Sequence, residues 1–392
     1  MHIVEAIADT VVKDAGGNDA YPLRCGERYL LHDHEAGLGL RDGALVLREP
    51  VEDILPRYRG NTSTAKRLLI PFIGRLGDAL ALASCAAALR ESAPGVSLDV
   101  ACLKPVRDVL SLFPGIVRTI EYPIHAAKLP DYDHYASFEH IEAIPDAHAR
   151  SLADVFSQCL HTPRPIAPAG PLIPEDTVAK WAGTGGLDLD GTGASHARPK
   201  VGIHPGVPGC PRSYPLDLAK RLARLLVDGG MTVYWIGATS PRAIRPTAQG
   251  DHTFDLINRT PTTADLAAVL KCMDAVVTCD SFPMHLAGAL GATTIAIFTS
   301  TNAVLASDYP TITALQADVA CSPCGVAEGA CPLGHARCTA HRTDALEPDR
   351  IAKRVRAAIA NARGLEPEPS PDDRIAGGVV DSSRGRHACS SA

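Results

Sequence analysis

From Lys66 onward the chain alternates between two hydrophobic rhythms. "RLLIPFI", Arg67 to Ile73, is an unbroken apolar run, as expected of a strand buried on both faces. "GRLGD" is a turn, and "ALALASCAAALRES" predicts a helix that "APG" stops. "VSLDVACL" reads as the next strand, followed by a short helix near "VRDVLSLFPG" and a strand in "IVRTIEYPI". Another helix is predicted over Ala149 to Leu160. The rhythm restarts at "KVGIHPG". "PLDLAKRLARLLVDGG", "TTADLAAVLKCM", "PMHLAGALG" and "EPDRIAKRVRAAIANARG" read as helices, with "MTVYWIG", "DAVVTC" and "TTIAIFT" as strands. Strands alternating with helices in this way make parallel sheets with crossover helices.

Before Lys66 the pattern is not helical. "YLLHDH" and "GALVLREPV" read as short strands separated by glycine-rich turns, "AGLGLRDG" among them. The chain therefore divides into a β-rich addition (1–62), an α/β domain (63–182), a glycine-rich linker without periodicity (183–198), a second α/β domain (199–363) and a tail (364–392). The tail is rich in Pro, Ser and charge and is expected to be disordered. Ligands of such sheets bind beyond the carboxyl ends of the strands, here in a cleft between the domains.

Composition narrows the picture. With 392 residues, two domains each have a full core. The net charge of -6 leaves no basic surplus to neutralise phosphates along a duplex, so nucleic acid is not an expected partner. No run approaches the roughly 18 apolar residues of a membrane span. "MHIVEAIADTVVKD" has acids where a signal peptide is basic and then apolar, so a cytoplasmic protein with reduced thiols is expected. Of the 12 cysteines, eight are scattered and four lie within 321–338.

Four stretches carry candidate chemistry. In "PFIGRLGDAL", Gly74 and Gly77 free the backbone at a strand end, and Asp78 falls at the expected N-cap of the next helix. It reads either as a cap or as a carboxylate at the cleft mouth that takes a proton from a hydroxyl. The stretch is neither a Walker A loop nor a full G-x-G-x-x-G, so it gives no support to a dinucleotide cofactor. In "GIHPGVPGCPRSYP", a strand ends in Pro205-Gly206, with Arg212 a few residues on and a helix behind. Free amides and a fixed cation suit a diphosphate, and an ordinary turn with a solvated arginine fits as well. In "AVVTCDSFPMHLAGALG", Asp280 and Ser281 end a strand, Pro283 fits the first turn of a helix, and His285 follows. The fourth, Cys321, Cys324, Cys331 and Cys338, has the spacing C-x2-C-x6-C-x6-C with Gly and Pro between, which suits four thiolates around one tetrahedral zinc or iron. Four sulfurs leave no open position, so the role is structural; free thiols are the alternative, and His335 and His341 are reserve ligands.

The ordered trio "RLGDAL", "GIHPG……R.YP" and "VVTCDSFPMHLAGALGATTIAIF" resembles glycosyltransferase family 9, the ADP-heptose:lipopolysaccharide heptosyltransferases, from about Lys66 to Ala360. The resemblance implies a GT-B fold, two Rossmann-like domains facing a cleft. It also implies inverting transfer of heptose from ADP-heptose, a nucleotide-diphospho-sugar, to a hydroxyl of a glycan or protein acceptor. Asp78 would be the general base. His204, Gly206, Arg212, Asp280, Ser281 and His285 would hold the donor, with Arg212 and helix N-termini replacing a catalytic divalent metal. Relatives with a similar cysteine finger include protein heptosyltransferases, and a protein acceptor also fits the extra N-terminal segment. A homo-oligomer is compatible with all of this. The sequence departs from the family at Phe282, where glycine is usual, and in lacking an acid in "WIGATSPR" near the expected nucleoside. A non-catalytic assembly protein and a nucleotide-sugar epimerase are the alternative readings.

Overall fold

The computed structural model describes residues 1–13, 19–61, 63–139, 141, 144–182, 198–206, 210–237, 252–326, 329, 331–335 and 338–364. Residues 183–197 of the predicted linker, the tail beyond 364 and most of the "WIGATSPR" stretch lie outside them.

The first segment holds β1 (His2–Ala6), β2 (Thr10–Lys13), β3 (Asp19–Leu23), β4 (Arg28–Leu31), α1 (Asp33–Arg41) and β5 (Leu45–Pro50). The glycine-rich stretch expected as a turn is therefore the helix α1. Glycines inside a helix cost roughly 1 kcal/mol each relative to alanine, and tertiary contacts offset that cost here. Glu35 is buried and accepts a 2.6 Å hydrogen bond from the Tyr122 hydroxyl, while Ala36 packs in the core. Asp33 and Glu35 in the first turn and Arg41 in the last complement the helix dipole.

The N-terminal α/β half contains β6 (Arg67–Phe72), α2 (Leu76–Ser92), β7 (Ser97–Cys102), α3 (Lys104–Leu110), β8 (Arg118–Glu121), β9 (Ile124–His125), β10 (His134–Tyr135), α4 (Leu152–Cys159) and α5 (Glu175–Ala182). Its parallel sheet runs β10-β6-β7-β8. Strand β9 leaves this sheet and pairs antiparallel with β4, completing the N-terminal sheet β5-β1-β4-β9. The addition is thus stitched to the domain. Alternation along β6 explains its unbroken apolar run: Leu68, Ile70 and Phe72 pack in the core shared with α2 and α4, whereas Leu69 faces the core under the N-terminal sheet. The β-rich segment covers the face of the sheet opposite α2.

The second half contains β11 (Lys200–His204), α6 (Leu216–Asp228), β12 (Thr232–Trp235), β13 (Thr253–Asp255), α7 (Thr263–Lys271), β14 (Ala275–Cys279), α8 (Phe282–Ala289), β15 (Thr294–Phe298), β16 (Ile312–Gln316) and α9 (Pro348–Ala362). Its six parallel strands run β13-β12-β11-β14-β15-β16, the 3-2-1-4-5-6 order whose switch point lies between β11 and β14. Helices α6 and α9 bury Leu222, Leu226, Ile351 and Val355 on one face. Helices α7 and α8 cover the other and share a core cluster with α2 of the first half. The halves are also tied by α5, where Trp181 Nε1 and Lys180 Nζ donate to Asp265 at 2.9 and 2.7 Å. Those bonds hold the Asp265 carboxyl at about 2 despite its burial. Two Rossmann-like α/β domains are thus packed against each other. No described helix is long and apolar enough to cross a membrane.

Candidate active site between the two halves

Asp78 is not the N-cap of α2. Arg75 occupies that position in extended backbone, and Asp78, three residues into the helix, accepts the Arg75 amide proton at 2.8 Å. Its carboxylate therefore satisfies one free N–H, as a capping residue would, from inside the first turn. One side of it stays open to a cleft of about 530 Å³ in the N-terminal half. Burial raises the Asp78 pKa, against the pull of the Arg75 amide and of nearby His285; Asp280 pushes the same way as burial. The first turns of α2 and α8 thus meet across the interdomain boundary.

On the other side, β11 and β14 deliver their last residues to the switch point. Arg212 Nη1 donates to the Asp280 carbonyl oxygen at 2.7 Å and lies 3.5 Å from its carboxylate. His285 Nε2 is 3.8 Å from the other carboxylate oxygen, and its Nδ1 is 3.2 Å from the Tyr309 hydroxyl. Burial lowers the His285 pKa, opposed by the charges of Asp280, Asp78 and Asp308. Ser281 is the N-cap of α8, yet its hydroxyl does not cap the helix. It sits 3.2 Å from His204 Nδ1 and from the Thr278 hydroxyl, and it donates to the Cys279 carbonyl at 3.0 Å. Burial pushes His204 down to about 4, so it is a neutral hydrogen-bonding group at ordinary pH. Gly206 is fixed by its φ of +95° and by crowding, since a β-carbon there would lie 2.5 Å from Ser213 Oγ and 2.8 Å from Cys279 Sγ.

The structure therefore gathers Asp78, His204, Gly206, Arg212, Asp280, Ser281 and His285 around one boundary. Phe282 is the first residue of α8, its φ is negative, and its half-buried side chain packs against the interdomain core cluster. Sequence reasoning missed Thr278, which joins Ser281 to His204, and Tyr309, which holds His285. Thr278 was open to detection, because it ends the apolar β14 run one residue before Cys279. The cleft beside Asp78 also draws on residues from distant elements: His32, Asp33, Phe72, Phe138 and Glu139 line it. Glu139 accepts from the Asp33 amide at 2.7 Å and pairs with His32 at 3.1 Å.

Among the described residues, no three His, Cys, Asp or Glu side chains are placed to hold a metal ion. The four finger cysteines do share a neighbourhood: burial raises the Cys338 pKa, and the charges of Cys324, Cys321 and Cys331 raise it further. Gly325, Gly329 and Gly334 between them adopt positive φ, which tight turns demand. The first knuckle is anchored to the sheet, with the Ser322 hydroxyl bonded to the Thr299 carbonyl and the Gly325 amide to the Ser300 carbonyl at 2.5 and 2.7 Å.

Comparison with known proteins agrees with this architecture. Residues 179–332 match the model of glycosyltransferase family 9 (heptosyltransferase). The chain superposes on ADP-heptose lps heptosyltransferase II of E. coli with a TM-score of 0.55 at 17% identity, covering 76% of this chain and 99% of that one. It superposes on the iron-containing dodecameric glycosyltransferase TibC of enterotoxigenic E. coli with a TM-score of 0.55 at 12% identity, covering 92% of both chains. TibC in complex with ADP-D-beta-D-heptose matches at 13% identity and a TM-score of 0.54, over 93% of this chain and 94% of that one. No curated protein sequence matches significantly. Fold and family match together define a glycosyltransferase of the GT-B type. Its second half, with the end of α5, carries a family 9, heptosyltransferase-like domain.

Proposed function

We propose that the protein is an inverting glycosyltransferase that moves heptose from ADP-heptose to an acceptor hydroxyl, with Asp78 as general base. The observation that carries this reading is the meeting of the α2 and α8 first turns, which sets the Asp78 carboxyl beside the Asp280–Arg212–His285 cluster. The donor lies along the switch point, its diphosphate facing Arg212 and the N-terminal end of α8. His204, Ser281 and Thr278 form the hydroxyl–imidazole wall beside it. The acceptor enters the cleft at Asp78, which takes the hydroxyl proton as the oxygen attacks the anomeric carbon. The new C–O bond forms on the face opposite the leaving diphosphate, the old C–O bond breaks, and both electrons leave with the ADP. Arg212 and the helix dipole stabilise the added charge. A carboxyl with a raised pKa suits this role, because it binds the proton it removes more firmly than an exposed aspartate would.

Cys321, Cys324, Cys331 and Cys338 would hold a structural zinc or iron, closing the segment after β16 on itself, while the Ser322 and Gly325 hydrogen bonds tie that segment to the loop after β15. The all-sulfur donor set is what supports this reading. Incubating the protein with ADP-heptose and other nucleotide sugars, and measuring binding and ADP release, tests the reading; no response to any donor overturns it.

A further inference from the structure

The N-terminal half carries a second cavity, of about 380 Å³, that the proposed reaction does not use. Arg57, Tyr58, Arg59, Ser137, Cys159 and His161 line it, and among the described residues no carboxylate does. Arg57 and Arg59 make no ion pair or side-chain hydrogen bond with any described residue, although Arg57 is half-buried. Both belong to an extended segment clamped to β10: the Tyr58 amide donates to the Tyr135 carbonyl at 2.7 Å, and the Tyr135 amide to the Pro56 carbonyl at 3.1 Å. Tyr58 is 1% exposed, and its buried hydroxyl meets no partner among the described residues. Its ring packs edge-on against His161, 6.1 Å between centroids. His161 is held in left-handed backbone at φ +47° and pressed against Gly60, where a β-carbon would lie 3.1 Å from the histidine Cβ. The Cys159 thiol feels the charges of both Arg57 and Arg150. Among the described residues, two guanidinium groups line this cavity and no carboxylate does, which makes its wall electropositive.

We propose that this cavity is an oxyanion site, taking a phosphate or carboxylate group between Arg57, Arg59 and His161. Its place gives it a use. Ser137 and Ile144 line this cavity, whereas Phe138, Glu139 and Ile141 line the cleft at Asp78, so one segment separates the two. An acceptor whose hydroxyl reaches Asp78 has an anion site one segment away; free phosphate is the other source of the same chemistry.

Equilibrium binding of labelled inorganic phosphate to the full chain tests the site, with Arg212→Gln as the background that removes the donor-side cation. The proposal expects saturable binding that survives Arg212→Gln and weakens tenfold or more when Arg57→Gln and Arg59→Gln are added. Arg59→Gln alone, at an exposed residue, keeps the test valid if the double substitution does not fold, and it should weaken binding several-fold. No saturable binding in the Arg212→Gln background, or equal binding with and without the two arginines, overturns the site. A hexose 6-phosphate arm separates the sources: tighter binding than inorganic phosphate assigns the site to an acceptor-borne group, and equal binding to the free ion. Because the background lacks Arg212, failure here is distinct from failure of the donor reading.

Discussion

Gly77 on α2 lies against His285 on α8, so closely that a β-carbon at Gly77 would sit 2.7 Å from the imidazole Cδ2 and 3.2 Å from Nε2. The same contact that packs the halves together places the Asp78 carboxyl near the His285 imidazole. The fit of the two facing surfaces therefore depends on the absence of one methyl group.

Gly77→Ala should cost about 1–3 kcal/mol through overpacking, despite the better helix propensity of alanine. It should also lower transfer by displacing His285. His285→Ala in the same chain removes the clash, so thermal melts should show the pair to be less destabilised than the sum of the singles.

Asp78→Asn should reduce kcat by roughly 10²–10⁴-fold, the scale of a lost general base. The fold should not suffer. A carboxyl whose folded pKa is raised contributes most at low pH and loses that contribution as pH rises through the folded value, so removing its charge at neutral pH relieves a cost. Melting temperature at pH 7 should be unchanged or higher. In the wild-type enzyme the acidic limb of the rate profile should lie above the ordinary aspartate range, because the base must be ionised to act.

His204 gives a stability signature of the opposite sign. Its folded pKa is pushed down to about 4 from 6.5, so the unfolded chain takes up the proton first. Its contribution is complete above about pH 6.5 and falls away as pH drops towards 4. Melts between pH 7 and 4.5 should be less steeply acid-sensitive in His204→Asn than in the wild type.

The strand ends carrying this site were legible in the sequence because "RLGD", "GIHPG" and "CDS" each break an apolar run at a sharp boundary. The interdomain arrangement followed from two α/β rhythms in series. What escaped was set by distant contacts. Helix α1 is stabilised by Glu35 meeting Tyr122, 87 positions away, and its two glycines look like a turn to any local reading. The offset of Asp78 from the N-cap to the third helical position reflects a helix that begins at Leu76, within the predicted turn. The cleft wall joins Asp33 to Glu139 across 106 positions, a separation no local pattern encodes.

Cys331→Ser should lower bound zinc or iron measured by elemental analysis, and should reduce the melting temperature, since metal affinity at a four-thiolate site is coupled to folding. An equal metal content in wild type and variant would remove the finger from the account.

The central claim is that the donor binds at the β11–β14 switch point, facing Asp78. Calorimetric titration of ADP-heptose into the wild-type protein and into Arg212→Gln tests it most directly. The account predicts one saturable site in the wild type, with affinity reduced roughly tenfold or more in the variant as a charge-assisted contact to the diphosphate is lost. Binding of equal strength in both proteins, or no binding to the wild type, would contradict it.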